Sequence, residues 1–134
     1  MHPLFKKADS VSHDVIGAAI EVHRELGPGL LESIYAKCLM RELSLRGLQA
    51  TSEETVKIEY KGIVFAEPLR FDLVVQGCLL AELKAIEAVL PIHKAQLFSY
   101  MKLLKIPLGL VINFHEEKLA NGVHRLILPG SNVA

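Results

Sequence analysis

Arg70-Phe71-Asp72-Leu73-Val74-Val75-Gln76-Gly77-Cys78-Leu79-Leu80-Ala81-Glu82-Leu83-Lys84 reads as two apolar strands that carry Asp72, Glu82 and Lys84 in their interior. A charge in a half-buried strand is costly to desolvate, so charges there point to mutual pairing or to a bound cation. Side chains alternate across a strand, which puts Glu82 and Lys84 on one face and Leu83 on the other. Gln76-Gly77 has the composition of a turn. If it folds the strands into a hairpin, Asp72 falls opposite or diagonal to Glu82, close enough for both carboxylates to hold one divalent ion. Hard ions such as Mg²⁺ prefer oxygen ligands and need only one or two protein carboxylates, because they keep several of their waters. The competing reading of these charges is a structural ion pair of the carboxylates with Lys84 or Arg70.

Outward from this segment, the hydrophobic period changes along the chain. After a lead from Met1 to Asp9 without periodic pattern, Ser10 or Ser12 can cap a helix running to about Leu26, with Val15, Ile16, Ala19, Ile20 and Val22 as its apolar stripe. Gly27-Pro28-Gly29 breaks it, and a second helix is expected from about Leu30 to Arg46, stopping at Gly47. From Glu54 the period becomes two: Val56, Ile58 and Tyr60 alternate with Thr55, Lys57 and Glu59. Lys61-Gly62 then makes a turn, and Ile63 to Phe65 returns as a partner strand. Downstream, Pro91 opens a third helix through about Leu104. Pro107 precedes an apolar strand, Leu108 to Phe114, and Val123 to Leu128 follows a polar turn. This order argues for an α/β fold, a mixed β-sheet flanked by helices.

A chain of 134 residues with 51% hydrophobic content fits one compact domain over residues 1–134. Its formal net charge is zero, so the molecule lacks the overall basic field of many nucleic-acid binders. Local pairs such as Lys102 and Lys105, or Arg41 and Arg46, could contact phosphates, although lysines and arginines on helices first read as a solvated face. The two cysteines, Cys38 and Cys78, form neither a disulfide framework nor a zinc spacing, and no histidine pair has the spacing of a zinc hydrolase. Nothing in the chain has the length and apolarity of a membrane span or the form of a secretion signal, which makes a cytoplasmic location the default expectation.

Asp72 followed by Glu82-x-Lys84 on the next strand resembles the PD-(D/E)XK nuclease superfamily. Gly29-Leu30-Leu31-Glu32-Ser33-Ile34-Tyr35 resembles the signature of its GxxExxY branch, and the likeness continues through His93, Gln96 and Tyr100 on the third helix. It spans about Val15 to Leu128. Phe71 stands where the proline that names the superfamily would precede the acid. The resemblance implies a metal-dependent nuclease fold that hydrolyses phosphodiester bonds in nucleic acid, DNA or RNA. It implies Mg²⁺ or Mn²⁺ held by Asp72, Glu82 and the backbone carbonyl of Leu83. Lys84 would assist an attacking water or stabilise charge on the phosphate. Glu32 would reach the metal directly or through water, and Gln96 would complete the site. The alternative implied by the same fold is a catalytically inactive module that binds nucleic acid or a protein partner.

The residues carry readings of their own beside this likeness. Glu32 lies in the first turn of a helix, where the dipole favours a carboxylate whatever else it does. Tyr35, one turn later on the same face, could pack or cover the site. His93, Gln96 and Tyr100 form one polar stripe. A homodimer would give a small nuclease a way to engage two strands.

Overall fold

In the computed structural model, which describes residues 1–133, helix α1 spans Phe5–Leu26 and α2 spans Glu32–Leu45. The first boundary corrects the sequence expectation. Ala8 and Val11 extend the buried stripe of Val15, Ala18, Ala19 and Val22 a full turn or more toward the N-terminus, so core burial starts the helix before either serine. Ser12 is no cap: it is buried inside the helix, and its Oγ donates to the Asp9 carbonyl at 2.7 Å.

Strands β1 (Ala50–Tyr60) and β2 (Ile63–Val75) form an antiparallel hairpin. Its two-residue turn, Lys61-Gly62, has positive φ at both positions (45° and 89°), the geometry that matches the twist of the flanking strands. Sequence periodicity suggested a short return strand near Phe65 and a separate one at Arg70–Val75. They are one continuous strand of 13 residues, because β1 is long enough to pair with nearly all of it.

The remaining elements are β3 (Leu79–Lys84), α3 (Pro91–Leu104), β4 (Leu108–Asn113), a 3-10 turn at Leu119–Gly122, and β5 (Val123–Ile127). Together the strands make a five-stranded mixed sheet in the order β1-β2-β3-β4-β5. β3 and β4 run parallel, joined by α3 as the crossover that parallel neighbours require. All other neighbours are antiparallel.

Alternation along the central strands divides the core. Leu79, Ala81 and Leu83, with Leu108, Leu110 and Ile112, pack with residues of α1 and α2. Leu80 and Val111 pack with Leu97 and Met101 of α3 on the opposite face. Glu82 and Lys84 share the parity of Leu80 and therefore belong to the α3 side. The seat of α3 depends on Gly109, where an added Cβ would lie 2.8 Å from Met101 Sδ. Among the described residues no helix is long and apolar enough to cross a membrane. Cys38 and Cys78 are both free thiols.

Candidate functional site

The sheet comes apart between β2 and β3. These strands pair only at Leu73↔Ala81, Val74↔Leu80 and Val75↔Leu79, and the next step of that register sets Asp72 opposite Glu82. Beyond it, β2 stays with β1, as Arg70 opposite Glu53 shows. The alternation of β2 slips at the same place. Phe71 and Val74, an odd number of residues apart, join the α3-side cluster, whereas Leu73 joins the other. The β1–β2 register shifts alongside, between Thr51 and Glu53. Such an irregularity re-aims a side chain out of the regular pleat.

Here it turns Asp72 into the gap. Asp72 Oδ2 accepts the Leu83 N–H at 2.7 Å, and Glu82 Oε1 accepts the Asp72 N–H in a long contact of 3.4 Å. The carboxylates thus stand in for ladder bonds that the diverging backbones no longer make. In a strand, the N–H and C=O of one residue point to the same edge, so the Leu83 carbonyl faces the gap that holds Asp72.

Two carboxyl groups this close, half out of water, do not both ionise readily. Burial, followed by the Asp72 charge and a hydrogen bond between the two carboxyls, pushes the Glu82 pKa up to about 8, against a smaller lowering by Lys84. This favours the protonated form of Glu82 near neutral pH. Lys84 is half-buried and forms no salt bridge among the described residues, while Arg70 pairs instead with Glu53 at 3.4 Å on the exposed hairpin. Neither cation locks the carboxylates in a structural ion pair.

Glu32, at the start of α2, lies in the same neighbourhood. Burial raises its carboxyl pKa; Lys84 and His93 pull it down and Asp72 pushes it up. Still, among the described residues no three His, Cys, Asp or Glu side chains converge at metal-ligating distance, so Glu32 stands near the carboxylate pair without joining it. His93 turns Nδ1 back to accept the Leu90 N–H at 2.9 Å, closing the N-terminus of α3. Gln96 is exposed on α3 and makes no side-chain hydrogen bond among the described residues. Tyr100 is half-buried against the α3-side cluster.

Tyr35 is a packing residue. It is fully buried, stacks on Phe114 with ring centroids 4.4 Å apart, donates its hydroxyl proton to the Gly27 carbonyl and accepts the Leu30 N–H at 3.2 Å. It thereby ties down the α1–α2 loop, where Gly27 and Gly29 both take positive φ, and so fixes where Glu32 begins its helix. His23 is likewise a satisfied structural histidine, its Nε2 donating to the Glu116 carbonyl at 2.7 Å.

Sequence reasoning overlooked Asn113. It is buried at the end of β4. Its Oδ1 accepts the N–H groups of Ile86 (3.1 Å) and His115 (3.2 Å), and its Nδ2 donates to the Ile86 carbonyl at 2.8 Å. With Phe114 N–H donating to the Lys84 carbonyl at 2.8 Å, Asn113 fixes the chain just after Lys84. The signal was available as the lone polar side chain in the apolar run Leu108 to Phe114.

The donor set fits a hard divalent cation. Two carboxylates and a peptide carbonyl face one half-buried gap, and an ion placed there would take over the charge-balancing role of the Glu82 proton. A family model of the PD-(D/E)XK nuclease superfamily matches residues 9–126, and the chain belongs to that superfamily. Its nucleases generally use divalent metal ions. No curated protein and no solved structure matches the chain.

Proposed function

We propose that the protein is a divalent-metal-dependent nuclease of the GxxExxY type, hydrolysing phosphodiester bonds in DNA or RNA at the gap between β2 and β3. The observation that carries this reading is the Asp72–Glu82 pair, two carboxyls turned toward each other by a slipped strand, with the Glu82 carboxyl pushed up in pKa by burial and then by the Asp72 charge.

In this reading Asp72, Glu82 and the Leu83 carbonyl hold Mg²⁺ or Mn²⁺. The ion supplies charge neutralisation at the scissile phosphate and acidifies a water. Lys84, on the same face as Glu82 and free of any salt bridge among the described residues, places its ammonium beside the phosphate and stabilises charge developing there. Glu32 accepts a hydrogen bond from water at the rim of the site. Gln96, exposed one turn after His93 on α3, is free to donate to a phosphate oxygen of the substrate.

The test is incubation with panels of DNA and RNA, single- and double-stranded, in Mg²⁺ and in Mn²⁺. Asp72→Asn serves as the control against a contaminating enzyme, since the amide oxygen can still accept the Leu83 N–H and the fold should persist. Cleavage lost in the variant supports the reading. The zero net charge favours a second reading, a nuclease-fold module that binds nucleic acid or a protein without turnover. Binding without cleavage across the whole panel would select it.

A further inference from the structure

The β1–β2 hairpin runs on past the rest of the sheet. Over Ile63–Leu69, β2 has no strand partner but β1 among the described residues, and β1 is the sheet's edge. A two-stranded ribbon is marginal by itself in water, and a long open edge is a template for pairing with another strand. One face of this ribbon is also apolar. Toward the tip Ile58 and Tyr60 share it with their cross-strand neighbours Phe65 and Ile63, while Val56, deeper in, faces Glu67. Val56 is buried, but toward the tip Tyr60, Ile63 and Phe65 are 61%, 62% and 41% exposed.

The turn fixes which backbone groups are free. In a two-residue hairpin the residues flanking the loop, Tyr60 and Ile63, exchange hydrogen bonds. Bonded pairs then recur at Ile58 and Val56, so the N–H and C=O groups of Thr55, Lys57 and Glu59 point to the open edge.

We propose that two copies of this chain pair antiparallel through their β1 edges, about a two-fold axis at Ile58. In that register Lys57 lies opposite Glu59 of the second copy, twice by symmetry, and these bonded positions use the free backbone groups. Ile58 lies opposite itself, and Val56 opposite Tyr60, so the exposed apolar rows merge into one across the joined ribbons. Neighbouring registers with the same backbone polarity fail. Axes at Lys57 or Glu59 set like charges against each other, and an axis at Val56 sets Glu53 against Glu59. An axis at Thr55 pairs Glu53 with Lys57 but places Val56 against Glu54 and Ile58 against Ser52. The axis at Ile58 also lies near the tip, which keeps the two bodies apart. A contact of this kind, one strand wide, is small for a protein interface and makes a weak, transient association.

Sedimentation of the wild-type protein over a micromolar concentration series is expected to show a monomer–dimer equilibrium. Lys57→Glu sets like charges opposite each other and should weaken it at least about tenfold. The double variant Lys57→Glu with Glu59→Lys should restore it, since the pairs are re-formed with their signs exchanged. The register is read by cross-linking in a Cys38→Ser background. Ile58→Cys should form an intermolecular disulfide on oxidation, because directly opposed non-bonded pairs approach closely, whereas Lys57→Cys should not. Circular dichroism of each variant checks that the hairpin is retained. A wild-type protein that stays monomeric, a dimer indifferent to Lys57→Glu, or equal cross-linking at both positions would overturn the proposal.

Discussion

A divalent cation entering the gap between Asp72 and Glu82 has to displace a proton. Burial of Glu82 and the adjoining Asp72 carboxyl push its pKa up to about 8, so near pH 7 the free protein carries a proton that the complex does not. Linkage sets the size of the effect. Below that pKa the apparent affinity for Mg²⁺ or Mn²⁺ should rise about tenfold per pH unit and level off above it, with about one proton released per ion near neutral pH. Titration calorimetry in two buffers of different ionisation enthalpy counts that proton directly. An affinity flat with pH and no proton released would refute the raised proton affinity of Glu82.

The same shift acts on the metal-free protein with a definite sign. Glu82 titrates at its ordinary 4.5 in the unfolded chain and at about 8 when folded, so the folded state holds the extra proton between these values. Its stabilising contribution is present below the lower value and is lost as pH rises through the upper one. Each unit of displacement amounts to at most about 1.4 kcal/mol, less whatever solvent screening removes. Urea denaturation in a chelator should show stability falling across this window, and Glu82→Gln should flatten the slope.

Two further outcomes follow from the placement of the flanking residues. Glu32→Gln should reduce metal affinity or cleavage far more than stability, because the helix-dipole contribution of an N-terminal carboxylate is only about 0.3–1 kcal/mol; a collapse in melting temperature with no separate functional loss would make Glu32 structural. Lys84→Met keeps the apolar stem and removes the charge, so single-turnover cleavage should drop at least about tenfold while metal binding persists, and unchanged cleavage would take Lys84 out of the mechanism.

The carboxylate pair was legible in the sequence because charge inside an apolar strand has few explanations, and because a turn near Gln76-Gly77 brings Asp72 opposite or diagonal to Glu82; the choice between the two came from the structure, where Val75 pairs with Leu79 across the three residues Gln76-Gly77-Cys78. The sheet and the three helices were legible from the switch in hydrophobic period. The divergence of β2 from β3 was not. It arises from the slip between Phe71 and Val74, a tertiary compromise in which Phe71 packs on the α3 side, and no local residue pattern announces it. The start of α1 was obscured for a simpler reason: Ala8 carries little hydrophobic signal among Lys6, Lys7 and Asp9, yet it is fully buried. The length of β2 was hidden by Glu67 and Pro68, which interrupt the apolar pattern on an exposed ribbon where pairing with β1, not burial, sustains the strand.

The most direct measurement is paramagnetic broadening of backbone amide signals by Mn²⁺ in isotope-labelled protein. With the ion held between β2 and β3, sub-stoichiometric Mn²⁺ should erase the amides of Asp72, Glu82, Leu83 and Lys84 first, and Asp72→Asn should abolish the effect. Broadening centred elsewhere, or unchanged in Asp72→Asn, would contradict a metal site at this carboxylate pair.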